Sequence, residues 1–177
     1  DTVILATGSL PAAPPIPGIK HAVESWDILS GAYAAPKGKR IVIIGGGNVG
    51  CETALYLLQY QNMITILEML DKVSGGQEGT HRTRDLEIMK QGGVNIQTLA
   101  TVQKVTEAGV EYIDKEGKAC RADADLVVVS TGQRPVGIEL AQALEERGIN
   151  VKRAGDSMQI GKIRSNIRSG FLAGYNA

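Results

Sequence analysis

Arg40-Ile41-Val42-Ile43-Ile44-Gly45-Gly46-Gly47-Asn48-Val49-Gly50 decides how the rest of this chain is read. The β-branched residues Ile41 to Ile44 run without polar interruption, the pattern of a parallel strand covered on both faces. They lead into a glycine turn, after which Cys51-Glu52-Thr53-Ala54-Leu55-Tyr56-Leu57-Leu58 reads as a helix and Met63-Ile64-Thr65-Ile66-Leu67-Glu68 as a second buried strand. Gly45, Gly47 and Gly50 thereby hold the positions of a GxGxxG motif in the context that gives it meaning: a strand before, a helix after, and an acid closing the next strand. Each glycine has its own physical task. Gly45 permits the tight turn, Gly47 lets the backbone approach a pyrophosphate without a Cβ in the way, and Gly50 lets helix and strand pack closely. Asn48 and Val49 stand where the helix N-terminus offers unpaired N–H groups and a partial positive charge to phosphates.

Glu68, at the carboxyl end of the second strand, is placed to accept both hydroxyls of an adenosine ribose and to repel a 2′-phosphate. Met69, Leu70 and Asp71 bring no Arg for such a phosphate, and Lys72 is the one cation at hand. NAD(H) is therefore expected in preference to NADP(H). FAD and S-adenosylmethionine also use Gly-rich βαβ turns. A methyltransferase, however, needs neither a strand at Val3 to Ala6 nor the one that runs out through Ser130-Thr131-Gly132-Gln133-Arg134-Pro135.

Upstream of the turn, Val3 to Ala6 reads as a buried strand ended by Thr7-Gly8. Ser9 to Gly18, with Pro11, Pro14, Pro15 and Pro17, reads as a linker, because that proline density excludes helix and internal strand. The chain opens at Asp1 inside the first strand without an initiator Met, as an excised fragment would. Glu24 to Leu29 reads as a short helix. Downstream come a Gly-rich loop from Ser74 to Thr80 and a helix from Arg82 to Gln91 stopped by Gly92-Gly93. Val94 to Leu99, Thr101 to Thr106, Gly109 to Ile113 and Lys118 to Arg121 follow as short strands of a meander. Asp125 to Ser130 is a third buried parallel strand, whose exit at Thr131-Gly132 echoes Thr7-Gly8. Glu139 to Arg147 and Ile163 to Tyr175 read as helices.

The 177 residues balance 19 Lys+Arg against 19 Asp+Glu and include one Trp, five Tyr and one Phe. Without a basic stripe or aromatics for stacking, no nucleic-acid partner is expected. No apolar run nears the roughly 20 residues that span a bilayer and no signal peptide opens the chain, so a soluble cytoplasmic protein without a membrane partner is expected. Cys51 and Cys120 form neither a CxxC nor a metal-ligand cluster, which signals no metal site. Cys51 reads as a packing residue despite its place near a helix N-terminus. His21 and His81 read as surface residues, and Lys162, Arg164 and Arg168 as a solvated helix face. No catalytic side chain is required.

The ordered motifs Asp1 to Gly8, Gly45 to Gly50 with Glu52, Asp125 to Pro135, and Ala154-Gly155-Asp156 resemble those of the FAD/NAD(P)-dependent pyridine nucleotide-disulfide oxidoreductase superfamily, in which an NAD domain is inserted into an FAD domain. The resemblance implies a Rossmann-like three-layer α/β domain, made of a helix layer, a parallel sheet and a β-meander, over residues 39–151. It implies an FAD-domain exit strand and Pro-rich linker over 1–38 and a returning FAD-domain segment over 152–177. Glu52 would lie near the nicotinamide and Gly132 in the turn leaving the NAD domain, while Gly8, Gly155 and Asp156 would face FAD. Thr65-Ile66-Leu67-Glu68-Met69-Leu70, and Lys162-Ile163-Arg164 followed by Ile167 and Gly170, are most similar to the carboxyl-terminal part of old-yellow-enzyme-like NADH:flavin oxidoreductases, the dienoyl-CoA reductase, enoate reductase and trimethylamine dehydrogenase type. There an upstream barrel carries FMN, an iron–sulfur cluster and the substrate site. The implied activity is hydride transfer from NAD(P)H to FAD in the full-length parent, the partners being dinucleotides and the FAD and substrate domains of the same chain. The fragment by itself would be inactive. Two family features are missing from this sequence, a first GxGxxG for FAD and a CxxC within the NAD domain. The rival readings are a non-enzymatic NAD-binding module and a ferredoxin or disulfide reductase of the same superfamily.

Overall fold

Along the strand β4 (Arg40–Ile44), alternate side chains point to opposite faces, and both faces are buried. Ile41 and Ile43 enter one core cluster with Ile64, Ile66 and Val128, and Val42 and Ile44 enter a second with Leu67 and Val127. That double burial explains the uninterrupted apolar run. The computed structural model describes residues 2–75 and 79–177. Asp1 and the middle of the expected Gly-rich loop lie outside the described residues.

In chain order the elements are β1 (Thr2–Leu5), β2 (Ser9–Pro11), β3 (Val23–Glu24), α1 (Ser25–Ser30), β4, α2 (Asn48–Leu58), β5 (Met63–Leu67), α3 (Gly79–Gln91), β6 (Asn95–Gln97) and β7 (Thr101–Thr106). They continue with β8 (Gly109–Ile113), β9 (Ala119–Asp123), β10 (Leu126–Val129), β11 (Gln133–Pro135), α4 (Ile138–Glu145), β12 (Asn150–Arg153) and α5 (Ile163–Tyr175). Two compact units form, one from residues 13–132 and one from residues 1–12 with 133–177.

The larger unit is built on a five-stranded sheet in the order β3-β10-β4-β5-β6, with all neighbours parallel. One face is covered by helices, through Ile28 of α1, Cys51, Ala54 and Leu57 of α2, and Met89 of α3. The other is covered by the antiparallel meander β7-β8-β9, through Val105 and Val110. The expected three layers are present, with one reassignment: the strand expected at 94–99 belongs to the parallel sheet, where Ile96 pairs with Ile66, and not to the meander. The sequence also places the start of this layer structure at residue 39, yet residues 13–38 pack within it. Ile16 and Ile19 lie against the meander-side core and Ile28 is fully buried on the helix side, contacts that proline density says nothing about.

The smaller unit contains two short ribbons, β1 parallel to β12 and β2 antiparallel to β11. The strand expected at Val3 to Ala6 forms at 2–5 but is not buried, since Leu5 is covered while Ile4 is 41% exposed. Part of the expected linker is a strand as well. Pro11 and Pro135 stand at opposite ends of their three-residue ribbon, where a missing N–H forfeits least. Among the described residues no helix is long and apolar enough to cross a membrane.

At the amino ends of β4 and β10, Arg40 Nη2 donates to Asp125 Oδ1 at 2.8 Å and the Arg40 backbone N–H donates to Asp125 Oδ2 at 2.9 Å. The guanidinium hydrogen bond, then the backbone one, hold the Asp125 carboxyl down at about 2. A carboxyl whose folded value lies below its unfolded value of about 3.9 adds stability above that value and loses it as pH falls through the folded one. Asp125→Asn should therefore lower the urea midpoint at pH 7, with the gap to the wild type closing between about pH 4 and about pH 2. A gap that does not change over that interval contradicts the assignment.

Candidate functional site

The parallel register sets Ile44 beside both Leu67 and Val129, so the chain leaves three adjacent strands side by side at Gly45, Glu68 and Ser130. A crevice outside the carboxyl ends of parallel strands is where open α/β sheets bind ligands. Here a cleft of about 450 Å³ is lined by Gly45, Gly47, Glu68, Met69, Leu70, Ala100, Thr101, Val102 and Ser130 to Gly132, with Pro14 and Ile16 from the incoming segment.

The three motif glycines have the geometry their spacing requires. Gly45 has φ +99°, and a Cβ there would collide with the Ser130 carbonyl oxygen. A Cβ on Gly50 would strike the Gly45 carbonyl oxygen, so α2 sits against the turn only because that residue has no side chain. Gly47 faces open space, with no heavy atom within 4 Å of a Cβ built on it. It is also the N-cap of α2 and makes no side-chain cap bond, which leaves first-turn N–H groups for an anion.

Glu68 is 7% exposed and both its oxygens are used. Gly46 N–H donates to Oε2 at 2.6 Å and Leu70 N–H donates to Oε1 at 2.8 Å. The carboxylate therefore braces the glycine turn as well as lining the cleft. No Lys or Arg lines the cleft among the described residues; the methylene chain of Lys72, the cation that follows Glu68, lies along Gly75 instead.

The sequence profile of the pyridine nucleotide-disulphide oxidoreductases matches residues 1–174. The chain belongs to that family. It is 39% identical over 179 residues to NADH oxidase of Thermoanaerobacter brockii, covering 99% of this chain and 28% of that protein. It is 34% identical over 176 residues to bilirubin reductase of Mediterraneibacter gnavus, covering 98% and 27% respectively. Among solved structures, a 2-naphthoyl-CoA reductase complex superposes with a TM-score of 0.85 at 27% identity, covering all of this chain and 27% of that one. The chain thus spans less than a third of these relatives.

In this member of the family the residues expected at the dinucleotide fall in two groups. Gly45, Gly47, Glu68 and Gly132 line the cleft, and Asn48, Val49 and Gly50 open α2 beside it. Glu52 is exposed on α2 and is not among the lining residues. Gly8, Gly155 and Asp156 belong to the smaller unit, where pairing of β1 with β12 brings them near one another: Ser9 Oγ, next to Gly8, donates to Asp156 Oδ2 at 3.5 Å. Asn166 Nδ2 donates to Asp156 Oδ1 at 2.7 Å and Gly161 N–H at 3.0 Å, and these bonds, led by Asn166, hold the carboxyl below its ordinary range.

Cys51 is buried, and its Sγ lies 3.4 Å from the Gly46 carbonyl oxygen. Burial above all, then the nearby Asp85 and Glu68 carboxylates, push its thiol up to about 11, so the helix N-terminus does not activate it.

Gly46 is the residue of this turn that the motif spacing passes over. Besides bonding to Glu68, it accepts from Ser74 N–H at 2.7 Å, and a Cβ on it would lie 2.5 Å from Val73 Cγ1 and 3.2 Å from Ile66 Cγ2. The middle glycine of the unbroken run Gly45-Gly46-Gly47 is the signal the sequence offers for it. Gly46→Ala should destabilise the protein by about 1–3 kcal/mol, the usual range for overpacking. Gly47→Ala, at φ −64° in open space, should leave the thermal midpoint unchanged or slightly raised. Equal losses in the two variants would show that the turn is not packed as described.

Proposed function

We propose that residues 13–132 bind NADH in the cleft at Gly45 to Gly50, and that the chain is the nicotinamide-nucleotide part of an FAD-dependent oxidoreductase. The observation that carries the nucleotide preference is the Glu68 carboxylate in a cleft with no lining cation. A carboxylate has about four acceptor positions, and the Gly46 and Leu70 amides occupy two. The remaining two suit the vicinal hydroxyls of an adenosine ribose, whereas a 2′-phosphate would meet a buried negative charge.

The residues fit a dinucleotide in kind: the open face of Gly47 and the uncapped start of α2 suit the pyrophosphate, and exposed Met69 and Leu70 offer apolar surface beside the ribose site. When bound, the nicotinamide supplies hydride chemistry, and a flavin in the longer protein would receive it. The part of this chain is to bind the phosphates, hold the ribose and orient the ring. Family membership and the similarity to proteins named NADH oxidase and bilirubin reductase support this reading.

Titration calorimetry of the 177-residue chain should give at least tenfold tighter binding of NADH than of NADPH, about 1.4 kcal/mol. Glu68→Gln should narrow that ratio toward unity. The ratio is the informative quantity because any loosening of the turn weakens both ligands alike. Preference for NADPH, or an unchanged ratio in the variant, would refute the role of Glu68.

A further inference from the structure

Three residues other than glycine have left-handed backbones among the described residues: Gln61 at φ +61°, Ser74 at +51° and Leu99 at +53°. Gln61 lies just beyond α2, and its N–H closes the helix on the Leu58 carbonyl at 3.1 Å, an ordinary use of that conformation. Leu99 ends no helix. It stands between β6 and β7, where the chain passes from the parallel sheet to the meander. The residue is 47% exposed, so side-chain packing is a poor account of its conformation. Leucine itself gains nothing from a left-handed backbone, in which Cβ crowds the following carbonyl oxygen. Something outside the residue holds it there.

What holds it is a pair of successive amides. Leu99 N–H donates to the Leu70 carbonyl at 3.0 Å and Ala100 N–H to the Glu68 carbonyl at 2.9 Å, while Glu68 N–H donates to the Gln97 carbonyl at 2.9 Å. In a regular strand, successive N–H groups point to opposite edges, and only alternate ones reach a given neighbour. The left-handed turn at Leu99 swings two consecutive ones onto the same strand exit. Residues 97–100 thereby grip Glu68 by both of its backbone groups and Leu70 by its carbonyl. At the same place Leu70 N–H and Gly46 N–H hold the Glu68 carboxylate at 2.8 and 2.6 Å. Beyond the kink, Ala100, Thr101 and Val102 line the cleft. Ser74, also left-handed, donates its N–H to the Gly46 carbonyl at 2.7 Å. Two of the three outliers thus bear on the bonded pair of Gly46 and Glu68, a concentration of strain typical of functional sites.

We propose that Leu99 is a positioning residue for the nucleotide site, its left-handed backbone fixing the direction in which the Glu68 carboxylate enters the cleft. Leu99 lies outside the lining of the cleft and acts through Glu68. The proposal deepens the reading in the preceding subsection and rests on it. Residue 99 has two tasks, to hold φ near +53° and to keep its N–H. Gly and Asn can do both, Gly because it lacks a Cβ and Asn because it tolerates the left-handed region. Ile keeps the volume and the N–H of Leu, but β-branching makes that backbone far less accessible.

Calorimetric titration of NADH and NADPH into the wild-type chain, Leu99→Ile, Leu99→Asn and Leu99→Gly tests the proposal. Leu99→Ile should cut the preference for NADH by about threefold or more, the effect of misdirecting one hydrogen-bond acceptor. Leu99→Asn and Leu99→Gly should keep the preference within about twofold of the wild type, because both retain the backbone. A leucine that serves packing alone predicts another pattern, with Leu99→Ile the mildest change and the NADH/NADPH ratio fixed in all three variants. That pattern, or an equal loss of preference in Leu99→Ile and Leu99→Gly, would overturn the proposal. If Leu99→Ile does not fold, hydrogen exchange on the wild type carries the test. NADH should slow exchange of the Leu99 and Ala100 amides by about tenfold and NADPH by less, and no slowing with NADH would overturn the proposal. A wild type without NADH preference overturns both this proposal and the reading of Glu68. A preference narrowed by Glu68→Gln but not by Leu99→Ile overturns this proposal alone.

Discussion

The hydrogen bond from Gly46 N–H to Glu68 Oε2, 2.6 Å long and buried, ties the exit of one strand to the exit of the next. The glycine turn depends on it. Gly45 is fixed by its N–H donating to the Leu67 carbonyl at 2.9 Å, Gly46 by Glu68 and Ser74, and Gly50 by close approach to Gly45. Gly47 has open space on its Cβ side and spends its carbonyl on Cys51 N–H at 3.0 Å, which leaves the N–H edge of the first turn of α2 as the kind of surface that suits a phosphate. One acid thus braces the glycine turn and lines the cleft; on the function proposed above, nucleotide choice and turn geometry would be coupled through that one side chain.

The two units place charge in opposite ways. Among the described residues the cleft of residues 13–132 is lined by one acid and no cation, with the uncapped start of α2 beside it. The cleft of the smaller unit is lined by three cations and no acid, and holds an unsatisfied guanidinium nitrogen.

Much of this was legible in the sequence because the decisive signals are local. The Ile41 to Ile44 run, the three motif glycines and the acid at Glu68 lie within one βαβ unit, and their neighbours in the fold are their neighbours in the chain. The helix at Ile163 to Tyr175 was legible for the same reason. What escaped were long-range pairings between short strands of weak pattern. β12, with the polar sequence Asn150-Val151-Lys152-Arg153, is a strand because β1 pairs with it from the other end of the chain. The reassigned β6 reads no differently from a meander strand until Ile96 is set beside Ile66. Gly46 escaped because its need for glycine comes from Val73 and Glu68, more than twenty residues away in sequence. Lys162, Arg164 and Arg168, read as a solvated face, are all exposed at α5.

The central claim, that a turn braced by Glu68 cradles a dinucleotide, is tested most directly by a crystal structure of the chain with NADH. The account predicts pyrophosphate oxygens within hydrogen-bonding distance of the N–H groups at Gly47 and the start of α2, with the adenosine ribose hydroxyls on Glu68 and the Gly46 to Glu68 bond intact. A nucleotide bound with its ribose away from Glu68, or a turn that rearranges to release Gly46, would contradict it.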